Sequence, residues 1–257
     1  MMLRFFAWIG RKTGHFFYEM GAISLLFWKI VAYGRYCIRD RHLIFEQMWK
    51  IGVQSLPLVT VVSIFTGAVS AWQAAYQFKG LLSLDFLGAA VNAAIAIELA
   101  PVLTGLVVAG RVGASIAAEL GTMRVTEQID ALETLAIDPV RFLAAPRFTA
   151  GWSMLPILVV YSNVIGHLGA YFVAHGLLDL SAQTFFGSIQ QHFKVYNLVS
   201  GLIKAFVFGG GTALVGCSIG FRTTGGAEGV GQSTIKAFVY SSAVILIGDY
   251  LLAVMLF

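Results

Sequence analysis

Charge is scarce in this chain: Asp, Glu, Lys and Arg make up 12% of its 257 residues, against 58% hydrophobic, and the mean hydropathy is +0.80. An ordinary soluble domain is about 45 to 50% apolar, so this composition excludes one and places the chain in a bilayer. Cysteine is nearly absent too. Cys37 is expected before the first span and Cys217 inside the fourth, too far apart to pair, so both are expected to be free thiols. There is no His/Cys cluster with metal-ligand spacing and no nucleophile elbow. Gly226-Ala-Glu-Gly-Val-Gly-Gln-Ser233 has the spacing of a phosphate-binding loop, but Gln232 stands where the phosphate-reaching Lys belongs and no strand precedes it. Repeats, low-complexity tracts and soluble domains are lacking. No cleavable signal peptide is expected, since Arg4, Arg11 and Lys12 interrupt the first apolar residues. Nothing in the sequence equips this chain to catalyse a reaction by itself.

What is present is long apolar runs. Crossing the hydrocarbon takes about 20 mostly apolar residues, and five stretches qualify: residues 51–75, 86–118, 148–176, 197–221 and 235–257. The fold class is therefore an all-α membrane protein. Basic residues near span ends stay cytosolic, and a cytosolic N-terminus puts all of the 17 Lys and Arg inside except Lys79, Lys194 and Lys204. Five spans then leave the C-terminus outside. The net charge of +4 reads as a topology signal and an attraction to anionic headgroups, with no need for nucleic acid.

Residues 1–48 mix Phe5, Phe6, Trp8, Phe16, Phe17, Phe27 and Trp28 with Arg4, Arg11, Lys12 and Lys29, as an interfacial or elbow helix requires. A sixth span over 16–33 would bury Glu19 and Lys29, which is costly. Small residues recur at helical spacing, as Gly110, Ala114, Ala117 or Ala118 and Gly121 in the second span and Gly209, Ala213, Gly216 and Gly220 in the fourth, marking packing seams within one chain or across a dimer. Residues 177–195, with Phe185, Phe186, Ile189 and Phe193, form the one sizeable outer segment.

Between the second and third spans lies a charged cassette. Glu127, Asp130 and Glu133 recur every three residues, and Ile129, Leu132 and Leu135 repeat on another side, so a helix over about 123–138 presents one acidic and one apolar stripe. Such a helix either docks against a partner or merely connects two spans. Within the spans three ionisable residues stand out. Glu98 falls ~16 Å below the outer face, ahead of Pro101, by the ~1.5 Å rise per residue. Lys204 and Asp249 both fall ~21 Å above the inner face by the same rise, and their matched depths lead us to expect an intramembrane ion pair.

Glu98-Leu-Ala-Pro101, Gly110-Arg-Val-Gly113, Ala118-Glu-Leu-Gly-Thr-Met123, Thr126-Glu-Gln-Ile-Asp-Ala-Leu132 and Asp138-Pro139, with Ser241-Ser242 and Gly248-Asp249, together resemble the MlaE family of ABC-transporter permeases from about residue 45 to the C-terminus. The resemblance implies a permease domain over 49–257 in the bacterial inner membrane or chloroplast envelope. It implies a homodimer, cytosolic ABC ATPase subunits that supply ATP and Mg chemistry, a ring of MCE-domain proteins outside, and phospholipid as cargo. It makes the cassette a coupling helix, with Glu119, Gly121, Met123, Glu127, Gln128, Asp130, Ala131 and Leu132 as its motif, and it assigns the lipid cavity to Glu98 with Gln73, Tyr76 and Leu99. Ile97 replaces an Arg common in relatives, so a headgroup contact is missing and headgroup preference and direction of transport stay open. The expected function is an ATP-driven phospholipid permease serving outer-membrane lipid asymmetry or intermembrane lipid traffic, with no cofactor or metal on this chain. The alternatives are a proton-coupled secondary transporter relaying protons through Glu98 and Asp249, and a scaffold that only anchors an MCE protein.

Overall fold

The computed structural model describes residues 21–34, 39–80 and 82–257. Cys37 and the aromatic–basic run of residues 1–20 lie outside the described residues. Eight helices and no strand make up what is described. They are α1 (Gly21–Tyr33), α2 (Arg41–Phe78), α3 (Leu84–Val125), α4 (Gln128–Thr134), α5 (Val140–Leu178), α6 (Ala182–His192), α7 (Val195–Phe221) and α8 (Gly226–Leu256). Five of them, α2, α3, α5, α7 and α8, are long and apolar enough to cross a membrane. These five overrun the apolar stretches of the sequence, chiefly at the end that carries α4, because helical hydrogen bonding does not stop where the hydrocarbon does. Helix α1 is too short to cross alone; it inserts Leu26 and Ile30, one turn apart, into the core and stacks Phe27 edge-on against Phe148 of α5 at 5.8 Å.

Helix α7 is the central post. In its most apolar stretch 56% of residues are buried, against 11% for α8, so α8 lies on the periphery and turns Phe238, Tyr240, Ile247 and Tyr250 outward. Glycine decides how closely α7 is approached. A Cβ on Gly209 would meet the Gly151 carbonyl oxygen of α5 at 2.3 Å, and one on Gly220 would meet the Leu120 Cβ of α3 at 2.6 Å. The small-residue faces of the second and fourth spans are thus packed within one chain, where lipid supplies no hydrophobic drive and close backbone approach replaces it.

Three helices contain π-turns or breaks with local causes. In α3 the segment Ile95–Leu99 is a π-turn closed by the Ala100 N–H on the Ile95 carbonyl, two residues before Pro101. In α5 the segment Val140–Ala144 is closed by the Ala145 N–H on the Val140 carbonyl, directly before Pro146. Proline has no N–H and its ring crowds the carbonyl four residues back, which favours a wider turn ahead of it. A third π-turn, Ala109–Gly113 in α3, has two glycines and no proline. Helix α2 breaks at Gly52, where a Cβ would strike the Met154 Cε at 2.0 Å, and resumes at Leu56 after a 3₁₀ turn.

The α2–α5 contact is the tightest test of this packing. Gly67→Val places a side chain where a Cβ already lies 1.8 Å from the Gly166 carbonyl oxygen, and we expect it to cost at least about 1–3 kcal/mol, read as a lowered Tm of the detergent-purified chain. Gly187→Ala in α6, where nothing lies within 4 Å, is expected to leave Tm unchanged or slightly raised.

Candidate functional site

Lys204 projects from α7 with its side chain 0% exposed, and two carboxylates from two other helices converge on it. Its Nζ lies 2.6 Å from Glu98 Oε1 of α3 and 2.8 Å from Asp249 Oδ1 of α8. The matched depths that singled out Lys204 and Asp249 are met by direct contact, and Glu98, which sequence reasoning assigned to a separate lipid position, joins the same cluster. An ammonium taken wholly out of water needs such partners, since an unpaired buried charge is far more costly than a paired one. The Glu98 side chain remains 41% exposed, so the cluster is open on that side. The π-turn at Ile95–Leu99 carries Glu98 and aims it at α7 and α8, while its neighbour Leu99 packs toward α2 and lines a small cleft with Val62, Thr66 and Gly67.

The other cavity residues fall elsewhere. Gln73 is exposed on α2, and Tyr76 lines a cavity of about 390 Å³ with Trp72, Lys79, Leu84 and Leu177, a lining that does not include Glu98. The Tyr76 cavity and the Leu99 cleft are separate, and neither is lined by Glu98.

At the opposite end the cassette is divided. Residues 123–125 complete α3, Glu127 turns the chain with a left-handed φ of 61°, and α4 itself is only Gln128–Thr134 rather than the longer helix over 123–138. Glu119, Gly121 and Met123 belong to α3. Glu119 pairs with Arg147 of α5 at 2.9 Å, a Cβ on Gly121 would meet Thr223 Oγ1 at 2.9 Å, and Met123 packs on the core. Glu127, Gln128, Asp130 and Ala131 are exposed, and Asp130 is paired with Arg124. The apolar stripe splits as well: Ile129 is buried, Leu132 half-buried, and Leu135 70% exposed. Much of that stripe therefore seats α4 on its own chain, leaving the acidic face and Leu135 outward.

Asp138 explains the Asp-Pro pair that follows. Its Oδ1 accepts from the Val140 and Arg141 N–H groups at 2.8 and 3.3 Å, capping α5, whose approach Pro139 pre-sets. Tyr33 of α1 donates to Asp138 Oδ2 at 2.6 Å, and Arg141 forks onto Asp40 at 2.9 and 3.1 Å, so the segment around α1 is tied to the segment that follows α4. Sequence reasoning missed these ties, because Tyr33 and Asp40 carry no motif. Partial burial pushes the Asp138 carboxyl up, but the Tyr33 hydroxyl, the two N–H groups and Lys29 outweigh it and hold the carboxyl below its ordinary value.

Two outcomes are expected from these geometries. Glu98→Gln and Asp249→Asn singly leave Lys204 one carboxylate, whereas the double variant strands a buried cation. The double variant should lower stability by more than the sum of the singles, by about 3 kcal/mol or more, in a double-mutant cycle on thermal unfolding. A carboxyl held low adds stability above its unfolded value of about 3.9, and that stability is lost as pH falls through the folded value. The Tm deficit of Tyr33→Phe should accordingly be largest near pH 6 and shrink below about pH 4.

The family model described as Permease MlaE matches residues 44–255. A probable ABC transporter permease protein of Rickettsia prowazekii is 39% identical over 257 residues, covering 100% of this chain and 99% of that protein. The intermembrane phospholipid transport system permease protein MlaE of Haemophilus influenzae is 31% identical over 260 residues, covering 100% of this chain and 99% of its own length. The chloroplastic protein TRIGALACTOSYLDIACYLGLYCEROL 1 of Arabidopsis thaliana is 36% identical over 208 residues, 81% of this chain and 59% of that protein. With a family match over nearly all of its membrane-spanning part and full-length relatives above 30% identity, the chain belongs to the MlaE permease family.

Proposed function

We propose that this permease is the membrane-embedded subunit of an ATP-driven phospholipid transporter of the inner membrane, working as a homodimer with separate ABC ATPase subunits on the α4 side and an MCE-domain ring on the α6 side. The N-terminus is cytosolic and the C-terminus periplasmic, so α4 faces the cytosol. One observation carries the reading: α3 is a continuous element that holds Glu98 against Lys204 in its first half and delivers directly into α4 at its far end. A push on the exposed face of α4 therefore reaches the open Glu98–Lys204–Asp249 cluster. Glu98 contacts or repels a headgroup, while the apolar helix surfaces on either side accept acyl chains. Hydrolysis of ATP, with its Mg, falls to the separate ATPase, and the lipids moved serve outer-membrane asymmetry or traffic between membranes. The phospholipid assignment is supported by the name of the Haemophilus influenzae relative.

The convergence of two carboxylates on Lys204 is also what a proton relay would need. Reconstituted vesicles separate the two readings: lipid movement driven by ATP with its ATPase favours the first, and movement driven by a pH gradient with this chain alone favours the second.

The docking role of α4 is tested by Glu127→Lys on its exposed face. The variant chain is expected to reach the membrane in normal amount but to lose copurification with its cognate ATPase in mild detergent. An unchanged ATPase yield would remove α4 from the interface.

A further inference from the structure

The polar break in α2 has an unusual neighbour. No Asp, Glu, Lys or Arg lies between Lys50 and Lys79, so the break at Gly52–Ser55 marks where α2 enters the apolar layer. There Arg111, carried on the π-turn Ala109–Gly113 of α3, crosses to α2. It donates to the Lys50 carbonyl at 3.0 Å, to Ser55 Oγ at 2.7 Å and to Gln54 Oε1 at 2.9 Å. All three acceptors are neutral. Among the described residues the other charges around this point are matched, Lys50 with Glu46 at 2.8 Å and Arg147 with Glu119 at 2.9 Å, and Arg111 has no carboxylate partner.

Beside Arg111 is a cavity of about 200 Å³ lined by Gln47, Lys50, Gln54, Arg111, Ser115 and Glu119. Gln47 is 9% exposed, and its amide has no hydrogen-bond partner among the described residues. Gln47 thus offers an unpaired amide to the cavity, and a positive charge without a carboxylate beside it marks a place for an anion with acceptor oxygens. The cavity is below the ~300 Å³ that drug-sized ligands occupy, which suits a small charged group and excludes whole acyl chains. Its position at the edge of the apolar layer is where headgroups of the inner leaflet lie.

We propose that Gln47 and Arg111 form a binding site for a phosphate group, the monoanionic phosphodiester of a phospholipid headgroup in the cytosolic leaflet, distinct from the Glu98–Lys204–Asp249 cluster. One phosphodiester neutralises Arg111, and its oxygens accept from the guanidinium and the Gln47 amide, while the Ser115 hydroxyl stays on Glu119 Oε1. The assignment of this leaflet rests on the transporter reading and its orientation. Placed on the α2 break and the α3 π-turn together, the site gives the permease a hold on lipid at the inner face as well as at the open cluster.

The test is native mass spectrometry of the full chain in neutral detergent, titrated with phosphatidylglycerol, with diacylglycerol of the same acyl chains, and with inorganic phosphate as competitor. Gln47→Leu breaks no hydrogen bond of the fold, and Arg111→Gln removes the charge. Each is expected to weaken binding of one phosphatidylglycerol about tenfold, the loss of one hydrogen bond to a charged group, and to leave diacylglycerol binding unchanged. Arg111→Lys should restore part of the affinity. Competition by inorganic phosphate that is lost in Gln47→Leu, without any effect of that variant on phosphatidylglycerol, supports a phosphate site whose source is the free ion. Wild-type binding of both phosphatidylglycerol and phosphate by Gln47→Leu overturns the proposal, and that variant decides the matter should Arg111→Gln fail to fold. Lipid retention that depends on Glu98 but not on Gln47 removes this site and leaves the transporter reading standing; dependence on neither residue removes both.

Discussion

A lysine ammonium with no exposure to solvent governs how the three helices around it can be arranged. Lys204 sits on α7, the most buried span, and its charge is tolerable only with carboxylates at contact distance. Because those carboxylates come from α3 and α8, the cation fixes the height of both helices relative to α7. Glycines then bring the backbones of α7 and α3 close together, as at Gly201 against the Ala96 carbonyl and Gly216 against the Gly113 carbonyl. The polar cluster and the small-residue seams are two parts of one solution: the seams permit the approach, and the cluster sets the register.

The spans were legible because the hydrocarbon imposes a length on every segment that crosses it. The pairing of Lys204 with Asp249 was open to depth arithmetic, since a constant rise per residue turns sequence distance into height. Glu98 escaped that arithmetic. Its predicted depth was measured from the opposite face, and its direction depends on a π-turn that rotates the side chains relative to a regular helix. Pro101 signalled a disturbance at that point but not its form.

The cassette between α3 and α5 was legible in composition and less so in shape. Its three-residue periodicity of acids and apolar residues suggested a longer helix, whereas Glu127 takes a left-handed conformation that ends one helix and starts another. Periodicity reports which residues share a face and says little about where a chain turns, because a single residue with positive φ leaves no trace in the pattern. The ties of Tyr33 to Asp138 and of Asp40 to Arg141 join residues about a hundred positions apart and needed the fold to be seen.

The unequal burial of the helices bears on where the bundle is stiff. Helices α2 and α5 touch backbone to backbone at Gly67 and Gly166, a contact with no side chains between them to yield. Helix α8, peripheral and mostly turned outward, meets the bundle through side chains: an apolar seam, Asp249 on Lys204, Thr223 donating to Ser233, and Tyr196 donating to the Leu256 carbonyl. The backbone seam of α2 and α5 therefore has nothing to repack, whereas the contacts that hold α8 can be exchanged one side chain at a time.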